Sequence, residues 1–143
     1  MKVTKKIKKK DKIIYYILQF TWGLPLNIMG FLVALVLILC GKKPKKHKLC
    51  WYFPIGKNWG GLEFGLFFLT DDKENEYILN HEFGHSIQNS WYGPFFLILW
   101  ILGIIRYNYR QIIKKIKPNK QLSPYYSIWF EKQASILGAS KIC

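Results

Sequence analysis

Acidic residues are scarce in this 143-residue chain. Aspartate and glutamate together number 8, against 22 lysines and arginines, and the formal net charge is +14 at pH 7. A site that needs carboxylates, such as a metal centre or an acid–base pair, must therefore draw on few positions. The acidic residues are Asp11, Glu63, Asp71, Asp72, Glu74, Glu76, Glu82 and Glu131.

Cysteines are also few, and several common functional motifs are missing from the sequence. Cys40, Cys50 and Cys143 lack the paired spacing of a structural zinc site, and their odd number indicates free thiols. The sequence contains no internal repeat, no glycine-rich phosphate loop and no nucleophile elbow. These absences argue against a cysteine-based zinc module, a P-loop protein and a serine hydrolase.

Two of the three histidines lie in one short motif, because residues 81–85 read His-Glu-Phe-Gly-His, an HExxH motif. Residues four apart share a helix face, so His81 and His85 can direct ring nitrogens at one metal ion. Glu82 lies about 100° further round the helix, where its carboxylate can reach a metal-bound water. This combination suits zinc-dependent hydrolysis, because zinc lowers the pKa of its water and the carboxylate takes the proton. The alternative is a pair of solvated histidines beside a charged neighbour.

The motif is predicted to lie inside a helix over residues 73–91. Asp71 and Glu74 have capping-box spacing at its start. Residues 93–94, a Gly-Pro pair, predict the end of this helix and the start of the next. Gly84 lowers helix stability relative to alanine, so we expect another segment to approach it closely.

A third protein ligand is expected, because catalytic zinc usually keeps three protein ligands and one open position. Asp11 lies within a lysine run, and the four acids of residues 71–76 are explained by the start of a helix. Glu131 and Glu63 remain as candidates.

Glu131 belongs to a segment that predicts a C-terminal helix over residues 125–138, opened by a Ser-Pro pair. On this helix Glu131 forms a polar stripe with Ser127 and Ser135. We therefore predict Glu131 as the third ligand and keep Glu63 as the reserve. The alternative for Glu131 is a solvated side chain paired with a lysine.

The HExxH helix, followed by a second helix that carries Glu131 and an Ala-Ser pair, resembles the gluzincin type of zinc metallopeptidase. It is similar in particular to the membrane-embedded endopeptidases of the heat-shock and CAAX-processing kind. The resemblance covers the two motif helices and implies that His81, His85 and Glu131 bind zinc. It also implies that Glu82 is the general base. That group usually carries aspartate four residues after the glutamate; this chain has Ser135, so a carboxylate that would orient a ligand histidine is lost.

A second likeness spans most of the chain from residue 51 onward. The HExxH motif, Gln88 and the Gly-Pro pair at residues 93–94 resemble small bacterial membrane proteins of unknown function that carry the same pattern. This likeness implies a membrane protein and supplies little biochemistry.

Half of the residues are hydrophobic, and most of the basic residues lie in three clusters that adjoin apolar runs. The first cluster is Lys2, Lys5, Lys6, Lys8, Lys9, Lys10 and Lys12; the second is Lys42, Lys43, Lys45, Lys46 and Lys48; the third is Arg106, Arg110, Lys114, Lys115, Lys117 and Lys120. This arrangement predicts a lipid bilayer with anionic headgroups as a partner. Nucleic acid is the rival partner for so basic a chain, but no nucleic-acid motif accompanies the clusters, so we expect none.

The run 13–40 carries no charge and is long enough to be a transmembrane candidate. Gly23 and Pro25 interrupt it, and proline disfavours helical geometry in the residue before it. One helix of about 42 Å would exceed the roughly 30 Å hydrocarbon core and put a lysine cluster on each side. A hairpin that turns near residues 22–27 would return both clusters to the cytosol. We favour this broken, re-entrant form.

The run 93–105 is too short to span a membrane alone. Continued to residue 116, it predicts a helix with an apolar first half and a basic second half. Such a helix suits entry into a membrane from an anionic surface. All three basic clusters can then face the cytosol. We therefore expect a membrane location, the bacterial inner membrane, with the metal site near its cytosolic face.

Residues 49–55 and 62–69 are aromatic-rich and β-prone, and the turn-forming residues 56–61 join them. This pattern predicts a β-hairpin. Its edge could bind an extended peptide by main-chain pairing. Equally, it could be an apolar lid on the motif helix.

The expected fold is mainly α and membrane-associated, with a small β-hairpin and a zincin-like metal site formed by the HExxH helix and the Glu131 helix. Residues 1–48 are predicted to form a basic N-terminus and a membrane-embedded helical segment. Residues 49–143 are predicted to form the metal-binding region, with the hairpin, the motif helix, the membrane-entering helix and the C-terminal helix.

The leading functional hypothesis is a membrane-associated, zinc-dependent metallopeptidase with Glu82 as general base and an unidentified peptide or protein substrate. One alternative is a non-catalytic membrane protein whose metal ion ties helices together. Another is a membrane interaction protein in which the HExxH motif is incidental.

Overall fold

The computed structural model describes residues 8–139, and this part of the chain is mainly helical with one small sheet. In chain order the elements are helices α1 (Lys9–Phe20) and α2 (Leu24–Leu39), strands β1 (Lys45–His47), β2 (Cys50–Pro54), β3 (Gly61–Phe64) and β4 (Phe67–Thr70), and helices α3 (Glu76–Tyr92), α4 (Phe96–Ile116) and α5 (Trp129–Gly138). Short 3-10 turns at Gly93–Phe95 and Tyr125–Ser127 precede α4 and α5. The mainly α architecture expected from the sequence is confirmed.

The apolar run 13–40 forms two helices, α1 and α2, that meet at an angle of 83°. Pro25 lies in the first turn of α2, where its missing N–H removes no intrahelical hydrogen bond. Inside the bend, the Asn27 side-chain amide donates to the carbonyl oxygens of Gln19 (2.8 Å) and Gly23 (3.0 Å). The predicted break near residues 23–25 is confirmed.

The predicted β-hairpin over residues 49–69 is wrong in its pairing. The strand order is β1-β2-β4-β3, with β2 parallel to β4 and the other neighbours antiparallel. The tight turn lies inside the second predicted strand, at Gly65, whose φ of 75° suits glycine. Residues 56–61, predicted as the turn, instead form part of the crossover that sets β2 parallel to β4. β3 is consequently an edge strand, and it packs against α3.

Helix α3 begins at Glu76, later than predicted, and has a different cap. The Asn75 side chain accepts a hydrogen bond from Tyr77 N (2.8 Å). Asp71 accepts instead from Gly60 N (3.2 Å) and so holds the preceding loop. The predicted capping box is therefore wrong, whereas the predicted stop at Gly93 is confirmed by its φ of 55°.

Helices α3 and α5 cross at very short distance. A Cβ built on Gly84 would lie 1.8 Å from the Ala134 carbonyl oxygen, and one built on Gly138 would lie 1.6 Å from the Asn80 carbonyl oxygen. Residues that carry a side chain could not be accommodated at these two positions without a shift of backbone. The expected close approach to Gly84 is confirmed, and it brings the start of α5 beside the HExxH motif.

The outer faces of α1, α2 and α4 are apolar. Large hydrophobic side chains are exposed on each of these helices, among them Ile17, Phe31, Leu39, Ile98 and Ile116. The helical segment Glu76–Ile116 consists of α3, the short 3-10 turn and α4, and it is long and apolar enough to cross a membrane. The bent pair α1–α2 passes the same test when it is counted as one span. Within the segment 76–116, most of the exposed apolar side chains belong to α4. Most of the polar side chains of α3 are buried.

Candidate metal centre

Three side chains from α3 and α5 converge on one point. His81 and His85 lie on successive turns of α3, and Glu131 lies in the first turn of α5. The two Nε2 atoms are 3.1 Å apart, and Glu131 Oε2 lies 2.9 Å from His81 Nε2 and 3.1 Å from His85 Nε2. These three side chains could together hold a metal ion. The structure thus brings together the three residues that the sequence predicted as ligands.

The far ring nitrogens of both histidines have hydrogen-bond partners. His81 Nδ1 lies 2.9 Å from Ser135 Oγ, and His85 Nδ1 lies 2.8 Å from Gln88 Oε1. Gln88 is held in turn, because its amide donates to the Phe130 carbonyl oxygen (2.8 Å). Since the Gln88 oxygen can only accept, Nδ1 of His85 carries a proton, and the other ring nitrogen, Nε2, faces the convergence point and can bind a metal ion once it is deprotonated. Partners of this kind orient metal-binding histidines.

The donor set fits a divalent metal ion. Ligand atoms placed 2.0–2.2 Å from one tetrahedral ion lie about 3.4 Å apart, so the observed separations would need only a small expansion. Without a proton or a cation among them, three electron-pair donors at these distances would repel one another. Two imidazoles and one carboxylate are a ligand set that catalytic zinc takes.

Burial and mutual contact determine the charges of the three groups. Burial alone would raise the pKa of Glu131, but hydrogen bonds from His81 and His85 outweigh it and lower that pKa to about 2. Burial alone would lower the pKa of His85, but the hydrogen bond and charge of Glu131 outweigh it and raise that pKa to about 9. Burial lowers the pKa of His81 despite its bond to Glu131. In the metal-free protein one proton is therefore held on His85, and a metal ion must displace it.

Glu82 lies outside this group of three, as the motif predicts for a base. Its side chain is buried, and its carboxylate packs against Gly61 at the start of β3: a Cβ built there would lie 2.7 Å from Glu82 Oε1. Burial raises the pKa of Glu82 to about 7; the nearby His85 opposes this shift and Glu131 adds to it. A carboxylate with this pKa can accept and release a proton near neutral pH.

Glu63, the reserve ligand, is not part of the converging group. One of its carboxylate oxygens accepts from Gly65 N, and the other has no hydrogen-bond partner. The side chain is 2 % exposed, and burial raises its pKa well above the ordinary value, although His85 opposes the shift. Burial therefore favours the protonated form of Glu63, which lies near the converging group but outside it.

A cavity of about 470 Å³ is lined by His81, Glu82, His85 and Glu131 together with residues of β3 and α4. Helix α4 forms one wall, where a Cβ on Gly103 would lie 3.6 Å from Glu131 Oε1. Trp100 also lines the cavity, and its Nε1 donates to the Glu63 carbonyl oxygen (2.6 Å). This volume lies within the range of pockets that bind small molecules or short peptide segments. The sequence did not predict the cavity.

Several contributors to the site were missed or misplaced from the sequence. Gln88 received no role, although its position three residues after His85 puts it on the same helix face. Ser127 was predicted to share a stripe with Glu131, but it lies in the 3-10 turn before α5, so that part of the prediction is wrong. Ser135 stands where the resemblance expects aspartate, and its hydroxyl supplies the hydrogen bond to the histidine.

Comparison with known protein families, with curated proteins and with solved structures finds no match to this chain.

Proposed function

We propose that this protein is a membrane-associated zinc metallopeptidase of the gluzincin type that hydrolyses a peptide bond. The observation that supports this most strongly is the convergence of His81 Nε2, His85 Nε2 and Glu131 Oε2 within 3.1 Å in the wall of a cavity. The three side chains would hold the zinc ion. When bound there, zinc would supply Lewis-acid polarisation of a scissile carbonyl and of a water molecule.

Glu82 would be the general base. Its buried carboxylate lines the same cavity, and a pKa of about 7 allows it to take a proton from the attacking water. The same group would then give that proton to the leaving amine. The fixed partners Ser135 and Gln88 would keep both imidazoles in the orientation that ligation needs.

The edge of β3 would receive the substrate backbone. Gly61, at the start of this strand, lies against Glu82, so an extended peptide paired there would pass beside the base. Farther along the strand, the Glu63 carbonyl oxygen accepts from Trp100 and the Phe64 carbonyl oxygen faces Gly30 of α2. Main-chain pairing would therefore be limited to the beginning of β3.

Membrane association is part of this proposal. The exposed apolar faces of α1, α2 and α4 would contact lipid, and basic residues that adjoin them and lie outside the cavity would contact anionic headgroups. With all basic clusters on one side, the metal centre would lie near the cytosolic face of a bacterial inner membrane.

Two substitutions test the catalytic role. Glu82→Gln should leave zinc content and folding nearly intact, because Glu82 is not a ligand, while turnover of peptide substrates should fall by about 10²–10⁴-fold. His85→Ala should lose both metal and turnover. Peptide cleavage would be measured on detergent-purified protein free of contaminating protease. An unchanged cleavage rate in Glu82→Gln would end the enzymatic proposal.

A structural metal ion is the second candidate. The close α3–α5 crossing at Gly84 and Gly138 favours it, because an ion held by His81, His85 and Glu131 would pin these two helices together. This alternative predicts that Glu82→Gln is silent in every assay and that His85→Ala harms folding alone.

A further inference from the structure

Charge is divided along the cavity. All the carboxylates that line it, those of Glu63, Glu82 and Glu131, belong to the metal-site end. The cationic side chains that line it, Arg110 and Lys114, come from the basic half of α4. The carboxyl groups that line the cavity thus lie at its reaction end, and the cationic side chains lie at the other end.

Helix α4 sets the distance between these two ends. Gly103 lies beside Glu131, and residues 107, 110, 111 and 114 of the same helix also line the cavity, so one face of α4 runs along it. At 1.5 Å per residue, Arg110 lies about 10 Å and Lys114 about 16 Å along the helix axis from Gly103. An extended peptide advances about 3.3–3.6 Å per residue, so this distance corresponds to about three to five residues.

Arg110 is held in place without being neutralised. Its Nη1 donates to the Ser123 carbonyl oxygen (2.7 Å), and its guanidinium carbon lies 5.6 Å from the centre of the Tyr125 ring. The guanidinium group has five N–H donors, so these contacts leave others available for a ligand. Among residues 8–139, the carboxylates that form ion pairs are Glu74 and Glu131, and neither pairs with Arg110 or Lys114.

We propose that this end of the cavity is a subsite for a carboxylate of the substrate peptide, either an acidic side chain or the chain terminus. The carboxylate would be held by Arg110 and Lys114, about three to five residues from the hydrolysed bond. The inference rests on the proposed peptidase function and adds a substrate class to it. A peptide is favoured over a lipid headgroup because both cations line the same cavity as the reaction centre, with the aromatic Tyr107 between them and that centre.

Binding of defined peptides to the non-cleaving Glu82→Gln protein tests this subsite. The probes are fluorescein-labelled leucine–alanine peptides in which each position in turn carries glutamate or glutamine. Binding would be followed by fluorescence anisotropy on zinc-loaded protein in neutral detergent. We expect the glutamate peptide to bind about tenfold more tightly than its glutamine partner at the favoured position, because a charge-assisted hydrogen bond forms there.

Two neighbouring lysines provide the matched variants. Lys114 lines the cavity, whereas Lys115 lies about 100° round the helix and does not. Lys114→Glu should abolish the preference for glutamate, while Lys115→Glu, with the same change of charge, should retain it. Arg110→Gln should reduce the preference in the same way as Lys114→Glu.

Three outcomes would overturn the subsite. In the first, glutamate and glutamine peptides bind equally at every position. In the second, Lys114→Glu and Lys115→Glu weaken glutamate peptides to the same extent, which indicates long-range charge alone. In the third, Lys114→Glu spares the peptide preference and selectively weakens binding to phosphatidylglycerol vesicles, which assigns the cations to lipid. A protein that shows the preference but cleaves nothing would refute the peptidase and keep the subsite.

Discussion

Helix α3 buries polar side chains on two sides, and the two sides differ in how those groups are paired. On the side of α1 and α2, the Gln19 amide donates to the Ser86 carbonyl and hydroxyl oxygens (2.8 and 3.0 Å). The Gln19 side-chain oxygen accepts from the amides of Asn27 (2.7 Å) and Asn89 (2.8 Å). On the side of α5, by contrast, two imidazole nitrogens and a carboxylate oxygen converge on one another.

This contrast separates a structural network from the candidate metal centre. In the Gln19 network, neutral donors meet neutral acceptors, and these hydrogen bonds hold the α1–α2 bend against α3. In the His81–His85–Glu131 group, by contrast, each of the three converging atoms can act as an acceptor, so their contacts depend on a shared proton or cation. Burial of polar groups is common to both sides; the α5 side differs because a proton or a cation must hold its three converging atoms together.

The largest expected effect comes from Gly84→Ala, because the added methyl group would lie 1.8 Å from the Ala134 carbonyl oxygen. Separation of α3 from α5 should lower the free energy of unfolding by about 3 kcal/mol and remove the metal ion as well. Gly103→Ala is the matched control, because the nearest atom to its added methyl group would be Glu131 Oε1, 3.6 Å away. The higher helix propensity of alanine should raise the free energy of unfolding by up to about 1 kcal/mol. Thermal melts and zinc content would be measured. Equal tolerance of both substitutions would contradict the close crossing.

Gln19→Ala should damage the structural side of α3 and spare the metal centre. The substitution removes one hydrogen-bond partner from each of the buried side chains of Ser86, Asn27 and Asn89. The free energy of unfolding should therefore fall by about 2 kcal/mol. Zinc affinity of the folded protein, measured by competition with a chelator, should stay at the wild-type value. A large loss of zinc affinity would show that the two sides are not independent.

Ser135→Ala should have the opposite pattern. Loss of the hydroxyl that holds His81 Nδ1 should weaken zinc binding by about 10–100-fold, with little change in the α1–α2 region. Ser127→Ala is the control, because this exposed serine lies in the preceding 3-10 turn. Ser135→Asp should retain or strengthen zinc binding. Identical zinc affinities in Ser135→Ala and Ser127→Ala would contradict the assigned hydrogen bond.

The smallest expected effect concerns Glu63, which belongs to neither pattern. The pKa of Glu63 in the folded protein is raised above the ordinary 4.5. The fold therefore favours the protonated carboxyl group, whose contribution to stability is full at low pH and is lost as the pH rises through the folded-state pKa. Wild-type stability should therefore decline as pH rises above about 5. Glu63→Gln should change stability at pH 5 by less than about 0.5 kcal/mol and make that decline shallower. Parallel pH profiles of the two proteins, measured by thermal melts at fixed zinc, would show that Glu63 is not the titrating group.

The local patterns of the sequence predicted the helices and the converging side chains well. Four-residue spacing put His81 and His85 on one face, and the scarcity of acids narrowed the third position to two candidates. Pairing over longer distances was harder to predict. Gly65 lies in an otherwise β-prone run, and its positive φ places a turn where one continuous strand was predicted. An isolated glycine of this kind was the available signal.

The cavity and its charged end depend on how α4 packs over β3 and α5. The hydrophobic periodicity of the sequence does not determine this packing. The third basic cluster was interpreted as a headgroup-facing surface, and Arg110 and Lys114 looked no different from Lys115 in the sequence. The distinction among them follows from packing alone. The Asn75 cap was likewise hidden, because four nearby acids offered equally good helix-start residues.

Zinc content of detergent-purified protein, measured alongside Glu131→Gln and Glu63→Gln, tests the central claim most directly. We expect about one zinc ion per chain in the wild type, since the site offers three protein ligands for a single ion. Glu63→Gln should hold the same amount, and Glu131→Gln should lose most of it, because a neutral amide replaces the carboxylate on which both imidazoles converge. A wild-type protein without bound zinc, or full zinc content in Glu131→Gln, would contradict the assignment of His81, His85 and Glu131 as a zinc centre.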